Sequence, residues 1–134
     1  MKTNKAFLTA VTALMIGTMG IATVAAQTKT IGFVSIDASG WYNDEEKTGD
    51  RTSRIYIGFD QRVPLLSGEV KITPANTCEF QVVQNPSGNG RDWEAVIINV
   101  TKSQLVTVTI QKKGYIFNPP SQQVEIYDGK NPIK

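Results

Sequence analysis

The chain contains no histidine and only one cysteine, and these scarcities exclude more chemistry than any motif it holds. Without histidine there is no Ser-His triad, no Cys-His dyad and no imidazole general base. His-containing zinc sites are excluded too, and one thiol cannot supply a cysteine-rich one. Nor can one thiol close an internal disulfide, a common device of secreted domains. Cys78 opens the run Cys78-Glu79-Phe80-Gln81-Val82 and reads as a small buried hydrophobe. Paired carboxylates of the glycosidase kind remain open chemically. They require a deep cleft, and a small all-β domain leaves little chain to build one. The expectation is a protein that is not an enzyme, with no catalytic residues and no cofactor.

An excess of charge of one sign is also missing. The 14 basic and 12 acidic residues give +2 overall, and two of the lysines, Lys2 and Lys5, stand at the extreme N-terminus. The remainder is neutral, so nothing electrostatic recommends a nucleic acid or an anionic membrane as partner. Behind Lys2 and Lys5 runs an uncharged, mostly apolar stretch, Ala6 to Ala22, ending in Thr23-Val24-Ala25-Ala26-Gln27. A basic start, an apolar run and small residues at the cut read as a signal peptide cleaved after Ala26. A membrane anchor needs ~20 apolar residues; this run is about the minimum length for one and is diluted by Thr9, Thr12, Gly17, Thr18 and Gly20. Residues 1–26 are therefore expected to be removed. The expected product is one domain, 27–134, secreted or periplasmic and not inserted in a membrane after cleavage.

Beyond the signal, helical periodicity is missing, and alternation punctuated by Gly, Pro and Asn takes its place. Strands are predicted at 30–37, 53–59, 69–73, 78–84, 92–100, 104–111 and 122–127. In the second, Ile55, Ile57 and Phe59 point one way and Arg54, Tyr56 and Gly58 the other. The apolar residues of 60–68 are predicted to plug one end of the core. Asn85-Pro86-Ser87-Gly88-Asn89-Gly90 is a strong turn signal and predicts a hairpin between the strands it separates. It lacks the Lys-Ser or Lys-Thr of a phosphate loop and leads into a strand, not a helix. Residues 115–120 read as an extended bridge. About seven short strands at regular spacing predict an all-β fold, an antiparallel β-sandwich of immunoglobulin-like type, with a closed barrel as the alternative.

Two features of the polar segment 41–50 bear on ligands. Trp41 and Tyr42 follow Gly40 at a loop mouth, and flat aromatic faces suit sugar rings. They are the candidate ligand-binding pair, whereas Trp93 and Tyr115 flank strands and read as packing. Asp44, Glu45, Glu46 and Asp50 could gather oxygens for Ca²⁺, which takes about 6–8 of them. Their spacing is not that of an EF-hand, and Lys47 and Arg51 sit among them, so a solvated charged loop is the expected reading and no metal is assigned.

The run Ser35-Ile36-Asp37-Ala38-Ser39-Gly40, then Thr52 through Asp60, then Val63 through Ile72, resembles a bacterial Ig-like repeat module of cell-surface and extracellular proteins. The closing stretch from Leu105 to Ile126 carries the sharper likeness. It joins a Thr/Val strand, the bridge Gly114-Tyr115-Ile116-Phe117-Asn118-Pro119 and a last Val-containing strand. The resemblance covers about residues 31–128. It implies a binding module that serves surface interaction, adhesion or envelope structure, with a protein or polysaccharide at a cell surface as partner. A small carbohydrate-binding protein using Trp41 and Tyr42 is the second expectation.

Overall fold

A computed structural model describes residues 28–43, 45–46 and 48–130. The expected signal peptide, 1–26, lies outside the described residues. Ten strands follow in chain order: β1 (Lys29–Ala38), β2 (Tyr42–Asn43), β3 (Thr48–Gly49), β4 (Arg54–Phe59), β5 (Val70–Thr73), β6 (Cys78–Gln84), β7 (Asp92–Val100), β8 (Gln104–Ile110), β9 (Tyr115–Asn118) and β10 (Ser121–Ile126). They build a five-stranded sheet in the order β6-β7-β4-β1-β9, a three-stranded sheet β10-β8-β5, and the small β2-β3 hairpin. Among the described residues there is no α-helix, only a 3-10 turn at Ser67–Glu69.

Alternation decides which side chains meet between the sheets, because successive side chains on a strand leave on opposite faces. Ile55, Ile57 and Phe59 of β4, Trp93, Ala95 and Ile97 of β7, and Ile31 and Phe33 of β1 are buried from one sheet. Val70, Ile72, Val106, Val108, Ile110 and Ile126 are buried from the other. Phe59 sits between Phe33 and Phe117, with ring centroids at 5.7 and 5.4 Å and tilted planes, the spacing at which aromatic pairs attract. The 60–68 connection divides: Val63 and Leu65 plug the core as expected, while Leu66 faces solvent.

The predicted hairpin joins β6 to β7, with Val82 opposite Ala95 and Gln84 opposite Trp93. Its turn is held by bonds from Gly88 N–H to Asn85 O, Arg91 N–H to Gly88 O and Asn85 N–H to Asp92 O. Gly90, at φ +77°, takes the left-handed backbone that the turn needs.

Three expectations change. The extended bridge at 115–120 is in part a strand, β9. It pairs in parallel with the start of β1, Lys29 opposite Tyr115 and Gly32 opposite Asn118, so the five-stranded sheet is mixed and not antiparallel throughout. Parallel neighbours need a crossover, and the chain supplies one by leaving the three-stranded sheet after β8 and returning to it as β10. The polar segment 41–50 is likewise no plain loop, since it carries the β2-β3 hairpin. Cys78 is half-buried at the core margin instead of enclosed.

Side chains manage two places where backbone groups would lie open. Val82 N–H, on the outer edge of β6, donates to Ser67 Oγ at 2.9 Å, which blunts that edge against foreign pairing. A bulge between Phe33 and Ser35 in β1 turns the Phe33 carbonyl toward β10, where Gln122 Nε2 donates to it at 2.6 Å. That bond ties the two sheets together along one side. One end of the sandwich is closed by Thr52, Ser103 and Asp128, all buried. Tyr127 N–H donates to Thr52 Oγ1, Ser103 Oγ–H to Asp128 Oδ1, and Asp128 N–H to Ser103 Oγ.

Candidate functional site

The predicted aromatic pair stands where the β2-β3 hairpin leaves the sandwich. The Trp41 side chain is 52% exposed, and its carbonyl accepts from Asp50 N–H at 2.9 Å, which anchors the base of the hairpin. Tyr42 belongs to β2 by its backbone; its side chain lies outside what the structure describes. Of the four acids, Glu45, Glu46 and Asp50 are exposed, and Asp44 lies outside the described residues. Among the described residues no three Cys, Asp or Glu groups gather as a metal-holding set. Glu46 N–H donates to Asn43 Oδ1, a local turn bond. Trp93 is buried, and Tyr115 packs against the core, its ring stacked 6.2 Å from Phe117.

A different surface is set by the sheet order. β9 is the outermost strand of the five-stranded sheet, and among the described residues β1 is the one strand it pairs with. Lys29 N–H donates to Gly114 O, and in a parallel ladder alternate residues bond toward the same neighbour. Ile116 and Asn118 therefore address β1, and Phe117 turns its backbone N–H and C=O toward the open side. A groove of about 770 Å³ borders this strand, and its walls include Thr30 of β1, Gln111, Lys113, Ile116, Phe117 and Pro120. The Ile116 side chain is 54% exposed. Lys112 is committed: its Nζ reaches both Glu69 carboxylate oxygens at 3.0 Å and lies 5.6 Å from the Tyr115 ring centroid. Lys113 is exposed, and among the described residues it makes no ion pair.

A smaller pocket of about 230 Å³ opens at the turn end of β6 and β7, walled by Arg62, Val63, Pro64, Gln84, Gly90 and Trp93. On the outer face of the same sheet Arg54 pairs with Glu94, which also accepts from Asn85 Nδ2 at 3.0 Å.

Burial raises the Cys78 thiol above its ordinary range, partly offset by a contact from the Thr77 hydroxyl. Because the thiolate is the nucleophile, Cys78 is expected to alkylate several-fold more slowly than free cysteine at pH 8. Its rate should still climb at pH values where free cysteine has levelled off. A pH series with iodoacetamide, read by intact mass, checks this; a rate equal to that of free cysteine would place the thiol in open solvent.

Sequence reasoning singled out Trp41 and missed both concavities. Ile116 and Phe117 lay in what read as a bridge, and the one available signal was their apolar character between Gly114 and Pro119. Arg62 and Gln84 carried no signal, since neither belongs to a motif. The chain matches no protein-family model, no curated protein and no solved structure. What the structure defines is an all-β protein of two packed sheets, one mixed and one antiparallel.

Proposed function

We propose that this protein is a non-enzymatic, exported Ig-like module that binds an extended segment of another surface protein along the open edge of β9. Strand order supports the Ig-like reading. Leaving out the β2-β3 hairpin and β9, the first, second, fifth and fourth strands lie side by side, and the third, sixth and seventh form the facing sheet. That is the arrangement of constant-type immunoglobulin domains. Export rests on the basic and apolar N-terminal segment, and the non-enzymatic reading on the missing histidine.

The observation that carries the binding mode is the unshared edge of β9 beside its groove. Strand addition takes affinity from main-chain bonds and specificity from side-chain pockets. Here Phe117 offers the main-chain groups, Ile116 and Pro120 an apolar wall, and Lys113, which makes no ion pair among the described residues, a cation for an acidic residue of the incoming strand. The other described edge at that level, β6, has its Val82 N–H occupied by Ser67, which leaves β9 the better receptor. A second reading, carbohydrate binding, is favoured by the exposed Trp41 ring.

A pull-down against insoluble polysaccharides and matrix proteins separates the two, using the native chain, Ile116→Lys and Trp41→Ala. A charge placed on an edge strand opposes pairing. Protein capture that falls at least about tenfold in Ile116→Lys and persists in Trp41→Ala supports the β9 edge. Polysaccharide capture lost in Trp41→Ala promotes the sugar reading instead. Protein capture indifferent to Ile116→Lys removes the edge from the proposal.

A further inference from the structure

Trp93 is the one described residue with a buried side-chain nitrogen or oxygen that lacks a hydrogen-bond partner: its indole Nε1–H is enclosed and unpaired. Such donors are costly in a folded protein and call for an explanation. Trp93 lines the 230 Å³ pocket at the turn end of β6 and β7. Gln84 is the cross-strand partner of Trp93 and shares its pocket. The segment carrying Arg62 is pinned above by the bond from Val63 N–H to Gly90 O at 3.1 Å. Gly90 lacks a side chain, so the stem of Arg62 lies across it, with Nε, Cβ and Cγ within 3.6 Å of where a Cβ would stand. Among the described residues no hydrogen bond or ion pair engages the Arg62 guanidinium.

We infer that this pocket is a binding site for a carboxylate, received by the Arg62 guanidinium, the Gln84 amide and the Trp93 indole N–H. All three groups can donate, and an ionised carboxylate only accepts. Among the described residues Arg62 is the only charged one of the wall, which matches a monoanion, and its planar fork fits a carboxylate in bidentate fashion. Val63, Pro64 and the indole ring supply an apolar surface for whatever bears the group. Pockets for whole drug-sized ligands run to about 300–1,000 Å³, so this one holds a small acid or the end of a chain. Because the indole N–H is enclosed, its bond to the ligand requires that the rotatable stem of Arg62 or Gln84 swing aside. The site is on the opposite side of the five-stranded sheet from β9, at the β6 edge, and it stands or falls independently of the strand-binding proposal.

The test follows the two indole N–H signals in proton–nitrogen spectra of the protein. Sodium acetate, unblocked trialanine and trialanine amide are titrated in turn at constant ionic strength. The expected result is a saturable downfield shift of the Trp93 signal with carboxylate ligands and none at Trp41. Arg62→Gln should weaken binding at least about tenfold, the range for a hydrogen bond to a charged group, while the rest of its spectrum stays native. Acetate and trialanine binding alike identifies the carboxylate itself as the ligand, and trialanine alone identifies a chain terminus. Equal binding of trialanine amide overturns the inference, as does a Trp93 signal that never saturates or a response unchanged in Arg62→Gln.

Discussion

Replacing Phe33 with alanine lowers the unfolding free energy by about 3–5 kcal/mol, the range for truncating a large buried aromatic. Phe33 is 1% exposed and leans on Phe59, which leans in turn on Phe117. The three rings come from β1, β4 and β9, so the ring of Phe33 fills space that no single neighbour can collapse into. Cavity cost therefore adds to the lost transfer energy. The bond from Gln122 to the Phe33 carbonyl is to the backbone and survives the change, which isolates the effect of the ring. Urea unfolding measures it. With a slope of about 1–3 kcal/mol per molar for small proteins, the midpoint should fall by roughly 2 M. Leu66→Ala is the matched control: Leu66 is 67% exposed, and a surface change of this kind stays within about 0.5 kcal/mol. A Phe33→Ala loss no larger than that control would mean that the three rings do not form a packed core.

The second large effect is expected at the closed end. Ser103→Ala should cost about 1.5–3 kcal/mol, because hydrogen bonds to charged groups are worth more than neutral ones. The Ser103 hydroxyl both donates to Asp128 Oδ1 at 3.2 Å and accepts from Asp128 N–H at 3.0 Å. Deleting it leaves the buried carboxylate with fewer donors, although Lys130 N–H still reaches Oδ1 at 2.8 Å. It also leaves the Asp128 amide without the hydroxyl as acceptor. A double-mutant cycle with Asp128→Ala isolates the pair, since contacting residues are non-additive by about 0.5–3 kcal/mol. Faster amide exchange at Asp128, with the β4 and β7 amides unchanged, would show that the loss is local. Simple additivity of the two substitutions would remove the pair as a source of stability.

Much of this architecture was legible from local pattern. Ile55-Ile57-Phe59 and Val106-Val108-Ile110 each placed three apolar side chains on one face, and both triplets are core. The turn from Asn85 to Gly90 announced the β6-β7 hairpin through residues whose backbone freedom is intrinsic to them. That residues 115–120 contain a strand is not visible in the sequence, for a physical reason. Four residues ending at Asn118, just before Pro119, are too few to display a period, and their partner strand lies at the other end of the domain. The candidate sites divide the same way. Trp41 drew notice because an aromatic beside a glycine in a polar loop is a local oddity, whereas Arg62 is one arginine among ordinary loop residues until Gly90 and Trp93 are brought beside it.

By itself, then, the sequence determined seven of the ten described strands, their inward faces and the absence of histidine chemistry, because side-chain alternation and residue type are properties of neighbours along the chain. Only the tertiary structure decided that β9 joins β1 in parallel and leaves an open edge beside a groove. It alone decided that Gln122 ties the Phe33 carbonyl across the sheets and that Trp93, whose indole N–H is enclosed and unpaired, lines a pocket with Arg62 and Gln84. Those relations join residues as much as 89 positions apart. They follow from how two twisted sheets pack and where a strand crosses between them, which no local pattern encodes.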